Sequence, residues 1–190
     1  MSGDYYKTKD SVAEYIHLAK DVNGAGLIKK LNTYLSKQSS LLEIGSGPGS
    51  DFNILSKQYQ VTGSDNSEEF LQHLDVKFSN NQFLNLDAAT LDTKKKFDAI
   101  YSNKVLHHLT DTDLKNSINR QSDILEAGGI ICHSFWKGEG SEVFKGLFVN
   151  YHSKQAIKSI FQEKFNILLL ELYAEFEEAD SILLIAKKRA

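Results

Sequence analysis

The sequence lacks the features that mark several large classes of protein. Its 190 residues include one cysteine, Cys132, which excludes a disulfide framework and a cluster of thiolate metal ligands. No apolar run approaches the length of a membrane span, and the polar N-terminal stretch MSGDYYKTKDS has no apolar segment of the kind found in export signals. We therefore expect a cytoplasmic protein without a membrane partner.

Positive charge is also scarce. The 22 Lys and Arg residues are outnumbered by 25 Asp and Glu residues, which gives a formal net charge of -3. Proteins that bind nucleic acid usually carry a strongly basic surface, so we expect no nucleic-acid partner. The length, the 41% hydrophobic content and the absence of internal repeats predict a single domain over residues 1–190, as a monomer or a homodimer.

Hydrophobic periodicity predicts that strands and helices alternate. Helices are expected at 11–20, 25–37, 51–59, 67–74, 111–129 and 154–165, and strands at 40–45, 60–65, 81–87, 97–103, 129–136, 166–176 and 180–189. The last two strands are separated by three residues, too few for a parallel crossover, so they should form an antiparallel hairpin. The predicted fold is α/β, with a doubly wound, mostly parallel seven-stranded sheet that contains an antiparallel C-terminal strand.

The most informative segment is LLEIGSGPGSDFNIL, residues 41–55. It places Gly45, Gly47, Gly49 and the single proline between a strand and a helix. Such a turn lets a ligand approach backbone N–H groups at the carboxyl edge of the sheet, where doubly wound folds bind their ligands. Either a dinucleotide or a nucleoside such as S-adenosylmethionine fits this turn.

Asp65 does not distinguish the two ligands, because it follows Gly45 by the spacing of an acid that binds a ribose diol, which both ligands contain. Three other features favour the nucleoside. Glu43 would repel a pyrophosphate and would favour a sulfonium and an ammonium group. Ser50 stands where the dinucleotide fingerprint requires Gly or Ala, and the terminal hairpin departs from the parallel continuation of a dinucleotide fold.

The motifs resemble those of compact class I S-adenosylmethionine-dependent methyltransferases over about residues 40–190. LLEIGSGPG resembles the first motif of that family, and VTGSDNS, FLNLDAATL, FDAIYSNKVLHHL and AGGIICHSFW resemble the ends of the following strands. The resemblance implies that Asp65 binds the ribose hydroxyls, that Asp87 and Ala88 bind adenine, and that Asn103 and Leu106 line the methionine end. The full expected cofactor-binding set is Glu43, Gly45, Ser46, Gly47, Asp65, Asn66, Asp87, Ala88, Asn103, Leu106 and Tyr6. Taken singly, each acid could instead be a helix cap, a turn residue or a salt-bridge partner.

His107 and His108 are the candidate catalytic residues, because they follow the fourth strand and imidazole titrates near neutral pH. The alternative for His108 is structural packing beneath the cofactor loop. We expect no metal site, since adjacent side chains point apart and no carboxylate or thiol lies at ligand spacing. His133, inside an apolar strand, should be a hydrogen-bonded core residue.

The acceptor site is less well specified. Residues 1–39 are expected to form a lid, in which Tyr5 and Tyr6 either close over the cofactor or belong to an exposed tail. After the fifth strand, Trp136, Phe144, Phe148 and Tyr151 either build an acceptor wall or pack in the core.

The resemblance implies a methyltransferase that acts on a small-molecule acceptor. YSNK replaces the motif that grips a nucleobase amine, which disfavours DNA methylation. Two alternatives remain: an NAD(P)-binding oxidoreductase, and a protein that binds S-adenosylmethionine without catalysis.

Overall fold

Helices and strands alternate along the chain in the predicted order. A computed structural model describes residue 6, residues 8–20 and residues 22–189. Its helices are α1 (Lys9–Leu18), α2 (Ala25–Leu31), α3 (Ser50–Leu55), α4 (Glu68–Lys77), α5 (Asp111–Ile124) and α6 (Lys154–Phe161). Its strands are β1 (Ser40–Ile44), β2 (Gln60–Asp65), β3 (Phe83–Asn85), β4 (Phe97–Asn103), β5 (Leu125–Trp136), β6 (Ser141–Phe144), β7 (Leu147–Asn150), β8 (Phe165–Tyr173) and β9 (Ser181–Lys188).

Seven strands form one sheet in the order β3-β2-β1-β4-β5-β9-β8. Strands β1 to β5 pair in parallel, whereas β9 pairs antiparallel with β5 on one side and with β8 on the other. The predicted fold class, with its antiparallel C-terminal strand, is confirmed. The final strand therefore enters the sheet between two strands that precede it in the chain.

The sheet is buried on both faces. In β1, Leu41 belongs to one hydrophobic cluster and the next residue, Leu42, belongs to the other. In β9, Leu183 and Leu184 divide between the clusters in the same way. Because successive side chains of a strand point to opposite faces, this division places one core on each side of the sheet. Within the described ranges, every helix is too short or too polar to cross a lipid bilayer.

The predicted helix ends differ from the observed ones, and that of α2 differs most. Helix α2 ends at Leu31 rather than at residue 37, because the chain continues in a tight turn in which Tyr34 N donates to the Leu31 carbonyl. Leu35 still reaches the core through this turn. The start of α4 is confirmed, since the Ser67 hydroxyl accepts a hydrogen bond from Phe70 N.

The boundary between α5 and β5 also differs from the prediction. The helix was expected to run to Gly128–Gly129, but it ends at Ile124, and Leu125 pairs with Phe97 of β4. The next pair joins Ala99 to Ile130, so the intervening residues of β5 form a bulge, with Gly128 at a φ of 74°. Strand pairing thus overrides helical periodicity here, and the glycines serve the bulge.

A short antiparallel hairpin, β6–β7, was not predicted. Its two turn residues, Lys145 and Gly146, both have positive φ, at 49° and 79°. In a two-residue hairpin connection, positive φ at both turn residues gives the backbone a twist that matches the twist of the flanking strands. The sequence does contain the signal, because Lys145–Gly146 separates the apolar pairs Val143–Phe144 and Leu147–Phe148.

Candidate active site

A cavity of about 890 Å³ lies at the carboxyl ends of the parallel strands. Its wall follows the strand order of the sheet. Parts of residues 43–51, 65–70 and 86–90, which follow or end β1, β2 and β3, form what we call the β1–β3 half. Parts of residues 103–109, Trp136, residues 144–149 and residues 175–176 form the β4–β5 half.

The glycine loop after β1 depends on missing side chains. Gly45, Gly47 and Gly49 have φ values of 69°, 49° and 78°, a region that other residues rarely adopt. A Cβ atom on Gly45 would approach Val105 to 2.6 Å, whereas one on Gly47 would meet nothing within 4 Å. The backbone at Gly47, which lines the cavity, therefore adjoins open space that a ligand can fill.

Asp65 is held in place at the end of β2. Its carboxylate accepts hydrogen bonds from Gly47 N at 2.9 Å and from Ser67 N at 3.0 Å. Burial raises the pKa of Asp65, and these backbone N–H groups oppose the rise. Asn66, between Asp65 and Ser67, is exposed and lines the same wall. The predicted pair Asp65 and Asn66 therefore faces the cavity beside the glycine loop.

Glu43 is a buried acid at the end of β1. It is 2% exposed, and its Oε2 accepts a hydrogen bond of 2.6 Å from the Ser46 hydroxyl. Burial, together with the charges of Asp51 and Asp65, raises the pKa of Glu43 to about 8, although the Ser46 hydrogen bond opposes the rise. Ser46 also accepts from Ser64 N at 3.2 Å, so this predicted cofactor contact joins β1 to β2.

Substitution of Glu43 tests this protonation. In the unfolded chain the carboxyl loses its proton near pH 4.5, and in the folded chain near pH 8. The free energy of unfolding should therefore fall as pH rises between these values, by up to about 1.4 kcal/mol per pH unit. Glu43→Gln removes the ionisable group and with it this pH dependence. The free energy of unfolding of Glu43→Gln, measured by urea denaturation and expressed relative to that of the native chain, should therefore rise from pH 5 to pH 8.

The exposed Glu126 supplies the control. Glu126→Gln should leave the pH dependence of stability as it is in the native chain. If the stability curves of Glu43→Gln and the native chain run parallel over this pH range, the raised pKa of Glu43 is wrong.

Asp51, in the first turn of α3, joins three parts of the chain. Its Oδ1 accepts from Gly24 N at 2.5 Å, and its Oδ2 accepts from the Tyr101 hydroxyl at 2.7 Å and from Asn103 Nδ2 at 3.0 Å. The side chain of Asn103 also accepts from the Ser134 hydroxyl at 2.5 Å. The predicted residue Asn103 is thereby fixed at the cavity wall. The sequence does not single out Asp51, because an acid in the first turn of a helix is common.

Gly24 tests the importance of this junction. A methyl group on Gly24 would collide with the Tyr101 hydroxyl and the Asp51 carboxylate. We expect Gly24→Ala to lower the free energy of unfolding by about 1–3 kcal/mol, the usual range for overpacking. Gly26, in the helix α2 that Gly24 precedes, has nothing within 4 Å of an added Cβ, so Gly26→Ala should stabilise the chain slightly. Thermal denaturation measures the stability of both variants. Equal stability of the two would contradict the close packing of Gly24 against Tyr101 and Asp51.

The turn after β3 carries the two residues expected to bind adenine. Asp87 Oδ1 accepts from Ala89 N at 2.7 Å and from Thr90 N at 3.3 Å. The Ala88 carbonyl accepts from the Ser117 hydroxyl at 2.6 Å, which ties the turn to α5. Asp87 and Ala88 both line the cavity.

A buried chain of hydrogen bonds continues from Ser117. Gln121 donates to the Ser117 hydroxyl at 3.1 Å and accepts from His133 Nε2 at 2.8 Å. His133 Nδ1 lies 2.8 Å from the Ser102 hydroxyl. Burial lowers the pKa of His133 to about 3, so the ring is neutral and Nδ1 accepts from Ser102. His133 is thus a hydrogen-bonded core residue, as predicted.

The two candidate catalytic histidines differ in their contacts. His108 Nδ1 donates to the Phe148 carbonyl at 2.7 Å and thereby holds the β6–β7 hairpin, whereas His107 Nδ1 is buried without a hydrogen-bond partner in the described structure. Burial lowers the pKa of both. Their ring centroids are 4.1 Å apart, so the expectation that they point apart is wrong. Leu106, by contrast, is fully buried in the core and does not line the cavity.

Tyr6 lies beside the cavity rather than in an exposed tail. Its ring makes an edge contact with Tyr15 of α1 at 5.2 Å and lies 5.7 Å from Phe70 and 6.4 Å from His108. The Ser67 hydroxyl donates to its carbonyl. These contacts join the N-terminal segment to both halves of the cavity. Tyr5 lies outside the described residues.

The β4–β5 half contains an aromatic and charged cluster. The Lys104 Nζ lies 3.2 Å from the centre of the Trp136 ring and 4.0 Å from the Glu175 carboxylate. Burial lowers the pKa of Lys104 to about 8. Trp136 also stacks on Phe176 at 5.9 Å. No local pattern indicates this cluster, because its members come from three separate segments of the chain.

Of the four aromatic residues proposed for the acceptor wall, three line the cavity: Trp136, Phe144 and Phe148. Tyr151 instead donates to the exposed Glu142 at 2.6 Å. In the described part of the chain, no group of three or more His, Cys, Asp or Glu side chains is arranged to hold a metal ion.

Comparisons with known proteins bear on this arrangement. Residues 41–129 match the family described as methyltransferase domain. A Clostridium acetobutylicum S-adenosylmethionine-dependent methyltransferase superposes with a TM-score of 0.78 at 14% identity, over 95% of this chain and 98% of that one. The Burkholderia thailandensis 1,6-didemethyltoxoflavin-N1-methyltransferase gives 0.76 at 17% identity, over 94% and 87% of the two chains. The N-methyltransferase NodS of Bradyrhizobium japonicum gives 0.74 at 16% identity, over 98% and 95%. No functionally curated protein matches the sequence.

Proposed function

We propose that this chain, whose residues 41–129 match the methyltransferase domain, is a class I S-adenosylmethionine-dependent methyltransferase that methylates a small-molecule acceptor. The observation that carries the proposal is the division of the cavity. The acids and the glycine loop occupy one half, and the two histidines and an aromatic wall occupy the other. The whole volume is within the range typical of small-molecule sites.

The β1–β3 half fits the cofactor. The Asp and Glu residues in its lining, which contains no Lys or Arg, are Glu43, Asp51, Asp65 and Asp87. Such a wall favours a cationic ligand and opposes the pyrophosphate of a dinucleotide. When bound, S-adenosylmethionine supplies an electrophilic methyl group on a positively charged sulfur. Asp65 and Asn66 would hold its ribose, Asp87 and Ala88 its adenine, and Glu43 and Asn103 its methionine part.

Asp65 provides the test of cofactor binding. Asp65→Ala removes a fixed carboxylate acceptor, and a hydrogen bond to a charged group contributes about 1.5–3 kcal/mol. We expect the affinity for S-adenosylhomocysteine to fall at least about tenfold in isothermal calorimetry, as this energy range implies.

The exposed Asp75 of α4 lies outside the cavity lining, so Asp75→Ala should leave the affinity unchanged. NADH, titrated in parallel, should not bind. If Asp65→Ala binds S-adenosylhomocysteine with unchanged affinity, the cofactor assignment is wrong. Tight binding of NADH would favour an oxidoreductase.

The chemistry of methyl transfer places modest demands on the protein. The acceptor atom must be oriented in line with the methyl group, and an acceptor that carries a proton must lose it to a base. His107 is suited to that role, because it lines the β4–β5 half and its lowered pKa keeps it neutral. His108, which is engaged with Phe148, would position the hairpin instead.

His107 is the variant that separates catalysis from binding. Methyl transfer from labelled S-adenosylmethionine would be measured across a panel of small amines, phenols and heteroaromatic compounds. For the best acceptor, we expect His107→Ala to lower kcat by about 10²–10⁴-fold, the usual contribution of a general base, while the affinity for S-adenosylhomocysteine is retained. His17→Ala, an exposed substitution on α1, serves as the control.

Two results would contradict this assignment. Unchanged kcat in His107→Ala would remove the histidine from the mechanism. Tight cofactor binding without transfer to any member of the panel would instead support the alternative of a non-catalytic binding protein.

A further inference from the structure

The β4–β5 half of the cavity has an aromatic wall that is partly open to solvent. Trp136 and Phe176 stack with an angle of 26° between their planes, and both line the cavity. Phe176 is nevertheless 71% exposed, and Phe144 on the hairpin is 60% exposed. Large exposed aromatic side chains that border a cavity indicate an apolar ligand surface.

The two lysines of this half are both engaged. Lys104 Nζ donates to the Phe135 carbonyl at 3.2 Å and to the Ser181 hydroxyl at 2.6 Å, and it lies over the Trp136 ring. Lys145 forms an ion pair with Glu14 of α1 at 3.2 Å. Neither arginine of the sequence lines the cavity. An anionic acceptor would therefore have to compete with existing partners for a cation.

Negative charge, by contrast, lies close to the aromatic wall. The Glu175 side chain is 12% exposed, lines the cavity and has Lys104 as its ion-pair partner at 4.0 Å. Asp180 lies in the same loop and accepts backbone hydrogen bonds from Glu175 and Phe176. The two carboxylates outnumber the single ammonium of Lys104, so the local field favours a cation and opposes an anion.

We propose that the methyl acceptor is an amine that carries a planar aromatic ring and no anionic group, and that this ring stacks on the Trp136–Phe176 pair with the amine directed to Glu175. This inference rests on the proposed function, since it assigns the substrate class of the same site. Stacking accounts for the exposed aromatic wall, and Glu175 discriminates an amine from an acid of the same size.

The composition of the chain supplies a direct probe. Trp136 is its single tryptophan, so emission excited at 295 nm reports on the proposed acceptor wall alone. Protein saturated with S-adenosylhomocysteine would be titrated with 2-phenylethylamine, 2-phenylethanol, 3-phenylpropanoate and 2-cyclohexylethylamine. We expect saturable changes in emission, with 2-phenylethylamine binding at least about fivefold more tightly than 3-phenylpropanoate and than 2-cyclohexylethylamine. The uncharged 2-phenylethanol should fall between the amine and the acid.

Variants test which side chain distinguishes the amine from the acid. Glu175→Gln should bring the affinities for the amine and the acid within about twofold of each other while it leaves that for 2-phenylethanol unchanged. Glu178→Gln, an exposed change in the same loop, should behave as the native chain. Phe176→Ala should weaken binding of all three aromatic probes.

The outcomes separate the two proposals. If calorimetry detects no S-adenosylhomocysteine binding, the proposed function fails and this inference fails with it. If S-adenosylhomocysteine binds, the inference alone is overturned by any of three results: no probe alters Trp136 emission, 3-phenylpropanoate binds as tightly as the amine, or the cyclohexyl compound matches the aromatic one.

Discussion

The arrangement of the site depends on the hydrogen bonds that the Asp51 carboxylate accepts. They join Gly24, ahead of α2, to Tyr101 and Asn103 of β4, and the carboxylate itself belongs to the helix that follows the glycine loop. Asp51 is 8% exposed, so each donor offsets part of the cost of burying its charge. The segments that must meet at the cavity are thus held by one buried acid, and none can shift without leaving that acid underpaired.

The two halves of the cavity differ in the chemistry of their walls. In the β1–β3 half, acidic side chains adjoin the glycine loop, and the carboxylates among them favour positive charge. The β4–β5 half instead presents a set of ring faces, with Glu175 beside them as the ion-pair partner of Lys104. The histidines lie in the second half, next to the loop that ends β4. Under the proposed function, cofactor and acceptor would be recognised by separate surfaces that meet at the end of β4.

Local sequence was sufficient for the features that one segment creates. The glycine loop, Glu43 and Asp65 follow directly from strand ends, and the reversed last strand follows from a link too short for a crossover. Features made by distant segments could not be predicted: Asp51 meets Gly24 and Tyr101, and Lys104 meets Trp136 and Glu175, only after folding. Leu106 was misplaced because a short 3-10 turn after β4 sends its side chain into the core while His107 lines the cavity.

The position of β9 has a consequence for how the chain acquires its fold. This strand is the last to be synthesised among the described elements, yet it separates β5 from β8 in the finished sheet. Until it emerges from the ribosome, β5 has an open edge of backbone donors and acceptors, and β8 has no partner at all. The sheet is therefore completed by a strand that enters its interior, and the aromatic contact that Trp136 makes with Phe176 of the β8–β9 loop forms last.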